Sequence, residues 1–254
     1  REALTSRALP GETEGFSPEE QDDAAAFLAA TALERRESEP AVRLESRGGA
    51  DASHRRMRLA IVNDDMPFLV DSVANAIAGR QLGIHRLLHP VVCVTRDESG
   101  ALQSVEELCE DPHRRESMMY IELDRADART RQELVQELHQ VLQDVRLAVR
   151  DWREMQARMH ADAGAIAEEE GRALLNWFAE GAMTLLGYHV EKPDQQPSDG
   201  LGIFSIPGAP TDSGGCLGAM RYFQEGGAVP LLAKAERKST VHRRVPMDLV
   251  VVPI

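Results

Sequence analysis

Four short stretches hold the residues best suited to chemistry. Asp64 and Asp65 are adjacent acids that interrupt an apolar run, and such a pair can hold a cation or divide acid and base roles. Asp65 also stands two residues before Pro67, where a helix N-cap belongs. Capping is the stronger reading, because every helix start has orphan amides to satisfy. His85, His89 and Cys93 are zinc-type ligands spaced by four. On a strand they share a face, but residues four apart lie roughly 13 Å from one another, too far for one tetrahedral site. A sheet face covered by a helix explains them better, and no metal is expected. Lys238-Ser-Thr-Val-His-Arg-Arg244 gathers cations and hydroxyls, with Lys238, His242 and Arg243 as candidate contacts for a phosphate or carboxylate. An exposed strand of alternating polar residues is the competing reading. Asp111 to Glu116 reads as salt-bridged surface.

The elements that must position these residues are legible in outline. Ser17-Pro-Glu-Glu20 is a capping box that opens a helix to about Glu37, with Pro40 as its stop. Ala41 to Arg47 is a short strand and Gly48 to His54 a loop. Met57, Leu59 and Ile61 alternate as in a half-buried strand. After the turn, Leu69, Val73 and Ile77 recur at helical spacing, with Gly83 as a left-handed cap. Ile84 to Thr95 is a second strand, Asp97-Glu-Ser-Gly100 a turn, and Ser117 to Leu123 a third strand.

Leu134, Leu138, Val141, Val145, Ala148, Trp152, Met155 and Met159 then form a heptad seam, for packing within the chain or between subunits. A second helix with Leu174, Leu175, Phe178 and Ala182 completes a helical hairpin. Beyond Gly187, strands are expected at Tyr188–Val190, Gly202–Ile206, Val229–Ala233, Thr240–Arg244 and Met247–Val252. The glycine-rich Pro207 to Gly227 reads as mobile loop.

Composition narrows the function classes. The chain has 254 residues, 43% hydrophobic and 28% charged, enough for one or two domains. A net charge of −13 disfavours a polyanionic partner such as nucleic acid. No apolar run reaches the roughly 18–20 residues of a membrane helix. The 3 cysteines lack a Cys-x-x-Cys pattern and suggest a reduced, cytoplasmic protein without a disulfide framework. No dinucleotide fingerprint, Walker loop or nucleophile elbow occurs in strand-to-helix context, so no catalytic residue is assigned. The strand-like end at Ile254 and the start without methionine suggest a piece of a longer protein.

Several motifs in order resemble one family. Asn63-Asp-Asp-Met-Pro-Phe-Leu-Val-Asp-Ser-Val73, His89-Pro90, Arg115-Glu-Ser-Met-Met-Tyr-Ile-Glu122, Asp151-Trp152, Trp177-Phe-Ala with Leu185-Leu-Gly-Tyr188, and Lys238-Ser-Thr-Val-His-Arg243 with Asp248 are similar to the N-terminal region of large bacterial NAD-dependent glutamate dehydrogenases. The similarity covers about residues 20 to 254. It implies an α+β fold: an ACT-like, ferredoxin-like antiparallel sheet with helices on one face, a helical hairpin, and a second mixed α/β, PAS-like domain. The corresponding division is 1–40 helical segment, 41–162 ACT-like domain ending in the long helix, and 163–254 second domain, truncated at its end.

The resemblance further implies a non-catalytic regulatory or assembly segment, with NAD bound elsewhere in the parent enzyme and no cofactor here. Its partners would be the remaining parent domains, further copies of the chain and an amino-acid effector. A free-standing amino-acid or small-molecule sensor is the alternative. ACT modules carry Asp-x-Pro-Gly-Leu at the first strand–helix turn. Here Asp65-Met66-Pro67-Phe68-Leu69 stands there, so Asp64, Asp65, Met66, Phe68 and Leu69 are the candidate ligand residues, with phenylalanine in place of glycine. The fourth ACT strand has two candidate sources, Asp144–Arg150 or Ala41–Arg47. The unbroken helical period through Val145 and Met155 favours Ala41–Arg47.

Overall fold

The computed structural model describes residues 11–47, 56–106, 111–192, 198–206 and 213–253. The expected loop at 48–54 and residues 193–197 and 207–212 lie outside them. The chain divides into two compact units, one ending at Leu142 and one beginning at Gln143.

In the first unit, helix α1 (Pro18–Ala32) starts at the capping box. Glu20 N–H donates to Ser17 Oγ at 3.2 Å, and Ser17 N–H to Glu20 Oε2 at 3.0 Å. Two orphan donors are satisfied reciprocally. The helix stops earlier than expected, and the chain turns so that Leu102 N–H reaches the Leu33 carbonyl at 2.9 Å. The strands are β1 (Ala41–Arg47), β2 (Arg56–Asp64), β3 (Ile84–Leu88), β4 (Val91–Arg96), β5 (Leu102–Glu106) and β6 (Arg115–Leu123). Helix α2 (Leu69–Gly79) follows β2, and α3 (Ala128–Ala165) follows β6.

All pairings are antiparallel, in the order β1-β2-β6-β4-β5, with β3 also on β6. The expected second strand is therefore one run interrupted at His89-Pro90, since proline cannot donate to the ladder. Strand β1 lies beside β2, where an ACT sheet holds its fourth strand, and β5 is an addition that alternation did not reveal. Asp97 holds the β4–β5 turn as expected, accepting from Ser99 N–H at 2.9 Å and Ala101 N–H at 3.0 Å.

Both helices that follow β2 lie on one face of the sheet, as expected of the ACT-like domain, and helix α1 of the preceding segment covers the other. Residues that alternate along β2 and β6 point to opposite sides. Leu59 pairs with Leu44 and Ile121, and this side lies under α3, whose Arg131 donates to Ser46 at 2.9 Å. Arg80, at the end of α2, pairs with Glu133 and Glu137 of α3 at 2.8 and 2.7 Å, so α2 shares that side. The opposite side, with Ala60, Val62, Met118 and Tyr120, packs on Phe27, Leu28 and Ala32 of α1. The sheet is the middle of three layers.

Three further expectations change. The left-handed residue after α2 is Gln81, φ 59°, not Gly83. Its N–H reaches the Ala78 carbonyl at 2.9 Å, and Leu82 N–H reaches the Ile77 carbonyl, a Schellman closure without glycine. Gly83 instead donates its N–H to Asp124 at 2.7 Å. Cys93 is buried and disulfide-bonded, which corrects the expectation of no disulfide. An odd count and absent motif do not say which cysteines a fold brings together.

In the second unit, the rest of α3 runs with α4 (Glu169–Trp177), joined by Gln156 to the Ala179 carbonyl at 2.6 Å and His160 to Asn176 at 2.8 Å. Gly171 packs where a Cβ would stand 2.1 Å from the Val229 carbonyl oxygen. Two strand pairs follow, β7 (Gly187–Val190) with β8 (Ser198–Gly202), and β9 (Leu231–Lys238) with β10 (Pro246–Val251). Between them, α5 (Ser213–Gln224) replaces most of the expected loop. Residues 203–206 and 240–244 are turns, not strands.

Candidate functional site

The corner between β2 and α2 gathers motifs that are far apart in sequence. Along the β2–β6 ladder Asn63 stands opposite Ser117 and Asp64 opposite Glu116, while Val91 pairs with Ser117 from the other side. The Asn63–Val73, His89-Pro90 and Arg115–Glu122 motifs thus meet at one end of the sheet. His89 Nε2 lies 2.6 Å from Ser117 Oγ, and Met118 N–H donates to the Pro90 carbonyl at 2.9 Å. Burial holds the His89 pKa below its usual value, opposed by the charges of Asp65 and Glu12. Asn63 is fully buried, and its amide donates to the Asp64 carbonyl at 2.9 Å.

The turn itself departs from expectation. Asp65 does not cap α2: the N-cap is Phe68, with no side-chain cap hydrogen bond. Asp65 is exposed, and its backbone N–H donates to the Arg115 carbonyl at 3.0 Å, extending the ladder by one rung. Phe68 has φ 71°, the left-handed region glycine ordinarily occupies in this turn. The glycine conformation is kept without the glycine, at a cost of about 1–2 kcal/mol. Ser72 N–H reaches the Phe68 carbonyl at 3.0 Å and closes the first helical turn. Leu69 is buried as the first apolar residue of α2, while Met66 and Phe68 are half-buried.

Asp64 is turned away from these residues. It shares the α1 side of the sheet with Glu116 and meets Arg35 at 2.5 Å. Sequence reading missed this cluster. Arg35 lies within the run Glu34-Arg-Arg-Glu-Ser-Glu39, which looks like any solvated charge run. Asp111 to Glu116 divides likewise: Arg114 reaches Thr95 and Glu106, as a surface loop should, but Glu116 is only 2% exposed.

In the second unit, Lys238 is the last residue of β9, His242 has φ 62°, and Arg243 is exposed. The hydroxyls face protein partners: Thr240 donates to Asp144 at 2.6 Å and Ser239 to the Val241 carbonyl at 2.8 Å. Of the zinc-type trio, His85 binds Asp124 at 2.7 Å, His89 binds Ser117, and Cys93 is oxidised. Among the described residues no group of three or more His, Cys, Asp or Glu could hold a metal ion. Among them, no helix is long and apolar enough to cross a membrane.

The strand–helix order from β2 to α3, with β1 at the edge and a strand–helix corner at one end, defines an ACT-like module. The chain belongs to the family described as glutamate dehydrogenase, ACT1 domain, which matches residues 2–138. It is similar to the NAD-specific glutamate dehydrogenase of Halomonas elongata, 30% identical over 171 residues, 58% of this chain and 11% of that protein. It is also similar to the NAD-specific glutamate dehydrogenase of Pseudomonas aeruginosa, 33% identical over 141 residues, 50% of this chain and 9% of that one. The chain thus spans about a tenth of the length of either relative.

Proposed function

We propose that this chain is a non-catalytic, N-terminal regulatory and assembly segment of an NAD-dependent glutamate dehydrogenase. The parent reaction would convert L-glutamate and NAD to 2-oxoglutarate, ammonia and NADH, with NAD bound outside this segment. The observation that carries the reading is the convergence of three family motifs on the β2–α2 corner of an ACT1-family module, with no catalytic constellation assigned around them.

The corner, with Asp65, Met66, Phe68 and Leu69 and with Asp64 behind it, would take an amino-acid effector. Its carboxylate would lie toward the start of α2, where backbone amides and the helix dipole favour an anion. Lys238, His242 and Arg243 would form a weaker anion contact in the second unit. We read the organisation as a helical segment over 1–40, an ACT-like domain over 41–162, and a second, PAS-like α/β domain over 163–254 entered through a helical hairpin. Partners would be the other parent domains and further copies of the chain, in the cytoplasm.

A thermal-shift screen of the twenty amino acids tests the effector. The expected result is a shift with at least one of them that Asp65→Ala weakens; no shift with any of them would sink the sensor role. Turnover of glutamate and NAD by this chain alone would overturn the assignment as non-catalytic.

A further inference from the structure

The strand alternation that builds the corner also hides one of its supports on the far side of the sheet. Arg35, in the segment between α1 and β1, is 6% exposed. Its Nη2 donates to Asp64 Oδ1 at 2.5 Å and to Glu116 Oε1 at 2.7 Å. Its Nε reaches the same Glu116 oxygen at 3.0 Å, and Nη1 the Glu39 carbonyl at 3.1 Å. Arg96 closes the cluster, with Nε to Glu116 Oε1 at 2.7 Å, Nη2 to Oε2 at 2.8 Å, and Nη1 to the carbonyls of Ala32 and Gly100 at 2.9 and 2.8 Å.

The backbone of Arg35 is equally constrained. Its N–H donates to the Gly100 carbonyl at 3.1 Å. Gly100 has φ +88°, and a Cβ there would stand 2.5 Å from the Arg35 carbonyl oxygen. The head group is therefore presented from a fixed stem.

The two carboxylates it bridges are not arbitrary. Asp64 and Glu116 face each other across β2 and β6. They immediately flank the next rung, the hydrogen bond from Asp65 N–H to the Arg115 carbonyl. That rung is the last fixed point before the turn through Pro67 to Phe68. A planar guanidinium can span two carboxylates in one geometry, which an ammonium on a flexible stem cannot.

We propose that Arg35 is a positioning residue for the β2–α2 corner, clamping the strand ends that launch it from the α1 side of the sheet. The corner and the α1 layer then open as one cooperative unit. This deepens, and for its regulatory meaning rests on, the reading of the corner as an effector site. An effector that alters the corner must alter the opening of α1 by the same factor, and the reverse holds by linkage.

Residue-resolved amide hydrogen exchange tests the clamp with no ligand present, so its outcome is independent of whether an effector exists. In Arg35→Met, exchange at Asp65 and Ser72 should rise about tenfold or more, together with the amides of α1, while Leu138 in α3 changes far less. Arg35→Lys should not restore the corner. Asp64→Asn should raise the same amides and add little in the Arg35→Met background, because the two changes remove one interaction.

A rise confined to α1 would reduce Arg35 to a tether and overturn the proposal. So would an equal rise at Leu138, or full rescue by lysine. If Arg35→Met does not fold, Arg35→Lys and Asp64→Asn give the same comparison, and a quiet corner in both overturns it. An amino-acid screen without shifts would count against the effector reading alone.

Discussion

The two sides of the first unit's sheet are built on different principles. Toward α2 and α3, β2 presents Met57, Leu59 and Ile61 and β6 presents Met119, Ile121 and Leu123, all fully buried. On that side β2 and β6 form a dry core, with Asn63 and Ser117 as their polar residues at the corner end. Toward α1, the middle is apolar, but both ends are ionic. Arg35, Arg96, Asp64 and Glu116 occupy one end, and Glu122 with Tyr120, Arg47 and Arg58 the other. Tyr120 O–H donates to Glu122 at 3.0 Å, and burial, with the Glu122 charge, pushes the phenol pKa well above its usual value. Arg58 stacks over the Phe27 ring at 4.2 Å and Arg86 over Phe16 at 4.2 Å.

The contrast teaches where each helix gets its address. Apolar burial is strong but non-directional, so it holds α2 and α3 without fixing detail. The ionic ends set the register of α1 and of the corner. Buried pairs are costly to break and add little over a well-packed apolar replacement, so their value here lies in geometry.

The largest expected effect breaks the ionic side. Glu116→Ala would leave the buried Arg35 and the half-buried Arg96 guanidinium groups without their shared carboxylate, costing about 3–5 kcal/mol of unfolding free energy. On the dry side, Leu59→Ala should cost about 3 kcal/mol through lost burial and the residual cavity. Chemical denaturation of both variants checks the pair. The informative result is in the amides: Glu116→Ala should loosen α1 and the corner first, whereas Leu59→Ala should lower protection in α2 and α3. Identical exchange patterns would erase the contrast.

The dry side was largely legible and the ionic side largely not. Met57, Leu59 and Ile61 announce a strand by alternation, Ser17 and Glu20 announce a helix start, and the unbroken period through Val145 left Ala41–Arg47 to fill the ACT edge. Each is a local pattern with a physical period. Arg35 and Glu116 carry no such signal, since a buried ion pair between residues 81 apart reads in each place as surface charge. Strand β5 offers only Leu102 and Val105, too few to alternate. Helix α5 was obscured by Gly214, Gly215 and Gly218, each costing about 1 kcal/mol in a helix. At the candidate site, the strand–turn–helix pattern is visible in the sequence, and alternation along β2 separates Asp64, opposite Glu116, from Asp65 one rung on.

A smaller effect sits where the two sides meet. Because Phe68 holds φ 71°, glycine should be tolerated there better than alanine. Phe68→Ala loses the ring contacts and keeps the strain, whereas Phe68→Gly loses the ring and relieves it. The glycine variant should be the more stable of the two by about 1 kcal/mol in urea unfolding, the reverse of the order inside a helix. Alanine matching or exceeding glycine would mean that the left-handed conformation does not persist in solution.

The smallest effect probes His89, which meets Ser117 at the polar end of the dry side. Burial holds the folded-state pKa of His89 below its usual 6.5. As pH falls through about that value, the unfolded chain takes up a proton that the folded chain does not. Stability should therefore be flat above neutrality, decline as pH drops below 6.5, and level off again under the folded pKa. The opposing charges of Asp65 and Glu12 limit how deep the decline runs. Urea unfolding at pH 7.5 and 5.5 should show the difference in the native chain and lose most of it in His89→Gln. An unchanged difference in that variant would move the pH sensitivity off the dry side, to the other histidines or to the carboxylates of the ionic ends.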